Sequence, residues 1–268
     1  MRVGLITPDP GHPLLAATAA LLAPAHAVEV LDPARGAAAA GGALADVYLL
    51  KARTPSALEL AAELERRGAP VVNSAAATGR CQDRTTMAAL ARRAGLPFAA
   101  TRTFASAAGL AARAAGLPWP LVVKSRRSRK DDLVARVDDP DALREVASRW
   151  AVEPVVVQEF APNSGFDHKV WVVGDQVFAG LRRSELAAGG KEPAPTLERL
   201  PDGWAAVALR VGGVFGLDVY GVDLIDTGDA DPLVVDINAF PGIRGQAGAP
   251  EALAALALRR ARTAPSPG

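Results

Sequence analysis

An α/β layer followed by a strand-rich α+β body is the architecture this sequence predicts, on three observations. Strand-like and helix-like segments alternate up to about residue 75, strands dominate after Pro120, and an acidic hairpin spans residues 220–242. Strands separated by helices build parallel sheets, whereas runs of strands with few helices build antiparallel hairpins. Half of the 268 residues are hydrophobic, and at ~150 residues per domain the chain makes one large domain or two small ones. The expected division is an N-terminal α/β domain over 1–80, a main domain over 81–250, and a C-terminal helix and tail over 251–268.

Residues 2–6 read as the first strand and 13–22 as an Ala/Leu helix. Two short apolar strands follow at 28–31 and 46–50, the second running into Lys51. Thr54 is an N-cap with Pro55 at the first helical position, and Gly68 ends that helix. Its apolar stripe is Ala57, Leu58, Leu60, Ala61 and Leu64, and residues 70–72 make another strand. Asp83 caps a helix that Gly95 closes, with Pro97 beyond it; a strand at 101–104 and a second Ala-rich helix come next. Strands are then expected at 121–124, 133–137, 155–160, 169–173, 177–181, 219–225 and 233–237. Helices interrupt them at 140–150, capped by Asp139, and near 204–215. Residues 185–195, with Gly189, Gly190, Pro193 and Pro195, make the expected flexible loop, and 263–268 a frayed end.

Composition removes several function classes. Thirty basic against 29 acidic residues, a net charge of +1, is no nucleic-acid binder's surplus. One cysteine, Cys81, leaves no disulfide framework, and three scattered histidines make no metal cluster. No apolar run reaches the ~18–20 residues a bilayer crossing needs, so a cytoplasmic protein without a membrane partner is expected. Only five of the basic residues are lysine: Lys51, Lys124, Lys130, Lys169 and Lys191. In a chain that writes arginine nearly everywhere, a retained lysine marks places where a compact ammonium suits better than a planar guanidinium.

The hairpin carries the chemistry. Asp236 and Asn238 are two apart and so share one face of a strand, with Ile237 on the other. A turn centred between Asp229 and Ala230 sets Asp223 directly opposite Asp236. Two carboxylates facing each other across a ladder repel, and a hard cation between them reverses the sign. Two carboxylates and an amide oxygen suit Mg²⁺. A solvated turn accounts for Asp226, Asp229 and Asp231, but Asp223 and Asp236 sit among Val, Leu and Ile.

At this hairpin, ending Asp236-Ile237-Asn238 and Phe240-Pro241-Gly242, the sequence resembles the ATP-grasp superfamily over residues 71–245. Two branches are similar: the RimK-like α-L-glutamate ligases, which are carboxylate–amine ligases, and the inositol polyphosphate (trisphosphate) kinases. The resemblance implies a fold that clamps ATP between two strand-rich halves, with Mg²⁺, or Mn²⁺ in its place, on Asp223, Asp236 and Asn238. It places Lys124, closing the strand PLVVK, on ATP phosphate. The backbone around Glu159 and Phe160 becomes the hinge that reads the adenine edge, with Gln158 and Glu159 supplying polar side chains. Asp167 becomes a ribose or loop-ordering group, and Lys169 a contact to phosphates or acceptor. It sets Arg182, Arg183 and Ser184 near the transferred phosphoryl group, and Lys51 and Gly242 on the acceptor side. Two features depart from the pattern. Arg84 stands where many members have a phosphate-binding lysine, and Arg126, Arg127, Arg129 and Lys130 follow Lys124 where a glycine-bearing loop is usual. These four either cover the nucleotide phosphates through their side chains, recognise an anionic acceptor or form a solvated turn.

The first function implied is Mg-dependent ligation through an acyl phosphate. The alternative is phosphoryl transfer to a hydroxyl, as in the kinases, and the third is a non-catalytic nucleotide-binding module. The expected partners are ATP and an anionic small-molecule or peptide acceptor, with homo-oligomer formation left open.

Overall fold

The computed structural model describes residues 1–40, 42–187, 194–229 and 231–263, without side chains at 37–40. Gly189, Gly190, Lys191 and Pro193 of the expected loop, the turn residue Ala230 and the end after Thr263 lie outside the described residues. The first layer is a parallel sheet of β1 (Arg2–Ile6), β2 (Ala27–Leu31), β3 (Val47–Leu50) and β4 (Val71–Val72), in the order β2-β1-β3-β4. Helices α1 (Pro13–Leu22) and α2 (Pro55–Arg66) connect its strands. Thr54 accepts the Ala57 N–H, Pro55 opens α2, and Ala57, Leu60, Ala61 and Leu64 bury its inner stripe. Gly4 is obligatory in β1, because a Cβ there would stand 2.2 Å from the Tyr48 ring.

Two segments escape the sequence pattern. A 3₁₀ stretch occupies Pro33–Ala40, and α3 (Ala75–Arg80) forms one short turn capped by Ser74, which accepts the Ala77 N–H. A six-residue helix containing Gly79 has too few positions to display a period. Helix α4 (Arg84–Arg93) begins as expected at Asp83, whose carboxylate accepts the N–H groups of Thr85 and Thr86.

Two antiparallel sheets complete the chain. One contains β5 (Thr101–Phe104), β6 (Leu121–Ser125), β7 (Val134–Val137) and β8 (Val155–Glu159), in the order β5-β8-β6-β7, with α5 (Ala107–Ala111) and α6 (Pro140–Arg149) packed on it. The other contains β9 (Phe166–Val173), β10 (Gln176–Arg183), β11 (Val219–Ile225) and β12 (Leu233–Ala239), in the order β10-β9-β11-β12. Helix α7 (Trp204–Phe215) lies on its inner face, where Tyr220 donates to the Ala208 carbonyl at 2.8 Å. Helix α8 (Ala249–Thr263) joins the first and last sheets, since Leu253 and Leu256 share one core with Leu14, Leu15, Val173 and Val219. No described helix is long and apolar enough to cross a membrane.

A single buried side chain pins the segment after β4 to the start of β11. Asn73 accepts the N–H groups of Asp218 and Val219 and donates to the Val219 carbonyl at 2.6 Å. In Asn73→Ala the N–H groups of Asp218 and Val219 lose their partner at once, while the Val219 carbonyl keeps the Phe240 N–H. At about 1–3 kcal/mol per orphaned group, offset by water where it can enter, a loss of about 3 kcal/mol is expected. A urea melt reads it as a lowered midpoint at unchanged slope. An unmoved midpoint would mean that this joint carries no stability.

Candidate active site

Register builds the site. The β11–β12 ladder sets Asp223 opposite Asp236, the expected pairing. On the other side of β11, Asp223 faces Lys169 of β9, and the two form an ion pair. One row across the sheet therefore reads cation, carboxylate, carboxylate. Immediately beyond it the ladder slips, because Leu224 pairs with Val234 and Val235 is left over as a bulge. The Val235 carbonyl accepts a hydrogen bond from Lys124 Nζ at 2.9 Å, so the lysine of β6 reaches across from the facing sheet.

Lys124 is only 6 % exposed and lies inside β6, which runs one residue further than expected, to Ser125. Burial pushes its ammonium below the usual lysine range, and Asp236 opposes that push. Burial likewise raises the Asp223 carboxyl, against the attraction of Lys169. Arg84, at the start of α4, donates to Asp132 at 2.6 Å and to the Ser125 carbonyl at 2.8 Å, and its guanidinium is 3.6 Å from Asp236. Its buried Nε has no hydrogen-bond partner among the described residues. Among the described residues no three His, Cys, Asp or Glu side chains converge. Cys81 is buried, and burial pushes its thiol up to about 12, which removes it as a nucleophile at neutral pH.

Two cavities meet at the acidic row. One, of about 130 Å³, lies between the antiparallel sheets and is lined by Arg84, Lys124, Gln158, Glu159, Phe160, Asp167, Ser184 and Asp236. The other, of about 500 Å³, opens beside it and is lined by Lys169, Trp171, Asn238, Gly242 and Arg244. Arg182 and Asp223 line both.

Several sequence expectations need correction. Arg183 joins neither cavity: strand alternation turns it away from Arg182, and its guanidinium lies 5.8 Å from the centroid of the Phe166 ring. The Phe160 N–H cannot read a base, since it donates to the Pro120 carbonyl at 3.0 Å. Phe160 instead offers its ring, over which Arg136 stacks at 4.1 Å. Gln158 donates to Thr101 on the neighbouring strand, so part of its polar capacity is structural. Arg126 and Arg129 pair with Asp83 and Glu153 and line a separate shallow surface pocket away from both cavities. Lys51 stands at the end of β3 with Nζ 6.0 Å from the Phe240 ring. Asn163 and Arg244 line the cavities and were not singled out from the sequence; each is an isolated polar residue in a loop, with no spacing to flag it.

Residues 86–252, more than half of the chain, match the model of the RimK-like ATP-grasp domain. The chain belongs to the RimK-like ATP-grasp family. The solved RimK domain ATP-grasp protein of Sphaerobacter thermophilus is 27% identical with a TM-score of 0.75, covering 96% of this chain and all of that one. A D-alanine–D-alanine ligase from Bacillus anthracis, solved with ATP, shares the fold at a TM-score of 0.72 and 16% identity, covering 98% of this RimK-like chain and 97% of its own. A probable α-L-glutamate ligase of Syntrophotalea carbinolica is 33% identical over 137 residues, which is 47% of this chain and 44% of the relative. The chain spans about half the length of the curated relatives it matches. In this family's frame, the two facing antiparallel sheets are the halves of the grasp.

Proposed function

We propose that this chain is an ATP-dependent carboxylate–amine ligase working through an acyl phosphate. The observation that carries the reading is the pair of cavities divided by Arg182 and Asp223. Residues 1–80 would serve as the acceptor-side layer, 81–250 as the grasp, and 251–268 as a helix tying the two together. ATP would occupy the cleft between the sheets, with Lys124 and Arg84 on its phosphates; the orphaned Arg84 Nε suits an anionic oxygen. Asp223, Asp236 and Asn238 would hold Mg²⁺, or Mn²⁺ in its place. Two opposed carboxylates with a neighbouring amide suit a hard cation, which screens phosphate charge when bound.

The chain's own residues then act on charge and position. The acceptor carboxylate enters the larger chamber and is held by Arg182 and Lys169, whose cations offset the charge of two approaching anions. Its oxygen forms a bond to the γ-phosphorus as the bond to ADP breaks, and ADP leaves with that electron pair. The amine attacks the carbonyl carbon, phosphate departs, and the amine proton is lost to solvent. Positioning and electrostatics supply the rate, so no covalent nucleophile is required.

Hydroxylamine trapping tests this. With MgATP, a carboxylate panel and hydroxylamine in place of the amine, a hydroxamate should accumulate in step with ADP. A stable phosphate ester without hydroxamate would instead mean kinase chemistry on a hydroxyl. ATP binding with no ADP formed on any acceptor would leave a nucleotide-binding module.

A further inference from the structure

Beside the larger chamber, basic side chains of the first layer gather without ion-pair partners among the described residues. Arg244 and Gly242 line its wall. His12 is nine-tenths buried, and its Nε2 lies 3.4 Å from where a Cβ on Gly242 would stand. Lys51 closes the group from the end of β3, over the Phe240 ring. Among the described residues neither Lys51 nor Arg244 forms an ion pair, and His12 Nδ1, buried, has no hydrogen-bond partner. Arg182 and Lys169, by contrast, are paired with Glu185 and Asp223.

We propose that His12, Lys51 and Arg244 form a second anion subsite, which holds a remote acidic group of the acceptor and makes the acceptor a dianion. The proposal rests on the ligase reading for the place of the first carboxylate. The location agrees with topology: β1 and β3 are adjacent and the strand order reverses at them, so the loops at their carboxyl ends form the crevice where ligands of open α/β sheets collect. Electrostatics agrees as well. Burial first, then Arg53 and Arg244, lowers Lys51, while burial and then Lys51 and Arg244 lower His12. Asp9 is the one acid that opposes these shifts, and no ion pair ties it to either group. Crowded like charges in a half-buried crevice cost free energy, and a bound anion turns that cost into attraction.

Calorimetry with the whole chain and ADP-Mg²⁺ present, so that no turnover occurs, provides the test. The probes are succinate, glutarate and adipate, a phosphonate analogue (3-phosphonopropionate), and butyrate as the monoanion. At least one dianion should bind roughly tenfold more tightly than butyrate, and the gap should shrink as salt rises. Preference for a dicarboxylate or for the phosphonate names the acidic group. In Lys51→Met and in Arg244→Ala, the latter at an exposed position, the gap should fall to about threefold or less while ADP affinity holds. Equal binding of butyrate and every dianion, or a gap that survives both substitutions, overturns the subsite. A retained gap in wild type, together with no hydroxamate from any carboxylate, would instead overturn the ligase reading and leave the subsite standing.

Discussion

Asp236→Asn should lower ATP turnover by about 10³-fold while the chain stays folded, the size expected when one preorganised charge is removed from a phosphoryl-transfer site. The fold survives because of what surrounds the carboxylate. Asp236 faces Asp223 across the ladder, so removing its charge relieves a repulsion. It also loses its attraction for the buried Lys124 ammonium and for Arg84, the latter a 3.6 Å contact, although Arg84 keeps its 2.6 Å bond to Asp132 and Lys124 its bond to the Val235 carbonyl. The relieved repulsion and the lost attractions oppose, and the melting temperature should stay within a few degrees of wild type. Asp223→Asn should differ, since it leaves the Lys169 ammonium without its ion-pair partner in a mostly buried position. ADP release and a thermal melt on both variants decide the matter. Wild-type turnover in Asp236→Asn would end the reading of this hairpin as a metal site.

How far the sequence could be read follows from which features have a period. The opposition of Asp223 and Asp236 was expected from a turn centred between Asp229 and Ala230; the pairing is as expected, but nearer the turn the index sum is one lower, and the bulge restores it. The bulge at Val235 was not legible, since a one-residue slip leaves no mark in composition. The residue left over at that slip offers the carbonyl that Lys124 reaches from the opposite sheet. Arg182 and Arg183 were taken together because the strand was expected to stop at 181. It runs to Arg183, and alternation then gives the cavities only the first. The Phe160 N–H is engaged for a tertiary reason, a hydrogen bond to Pro120 forty residues away in the chain. His12 and Arg244 could not be found in one dimension, because more than two hundred residues separate the two members of that cluster.

Lys124→Arg should not preserve nucleotide binding, despite equal charge. Lys124 is 6 % exposed, and its Nζ is already 2.9 Å from the Val235 carbonyl, so the space at the end of the side chain is set for a single compact donor group. A guanidinium is planar, longer and brings five donors; in this crevice several would be buried without acceptors. Either the arginine would displace the β12 bulge, or it would turn into the cleft and occupy space proposed for phosphate. Lys124→Met keeps roughly the volume but leaves the Val235 carbonyl unpaired and removes a positive charge beside Asp236. Both variants are expected to lose about 1.5–3 kcal/mol of ATP affinity, the worth of a hydrogen bond to a charged group, or roughly 10- to 150-fold in Kd. The informative comparison is between the two. If compactness is what the site requires, arginine should do no better than methionine in calorimetric titration with ATP and Mg²⁺. An arginine variant that binds ATP as wild type does would show that any cation suffices at this point of the cleft, and would remove Lys124 from the phosphate site.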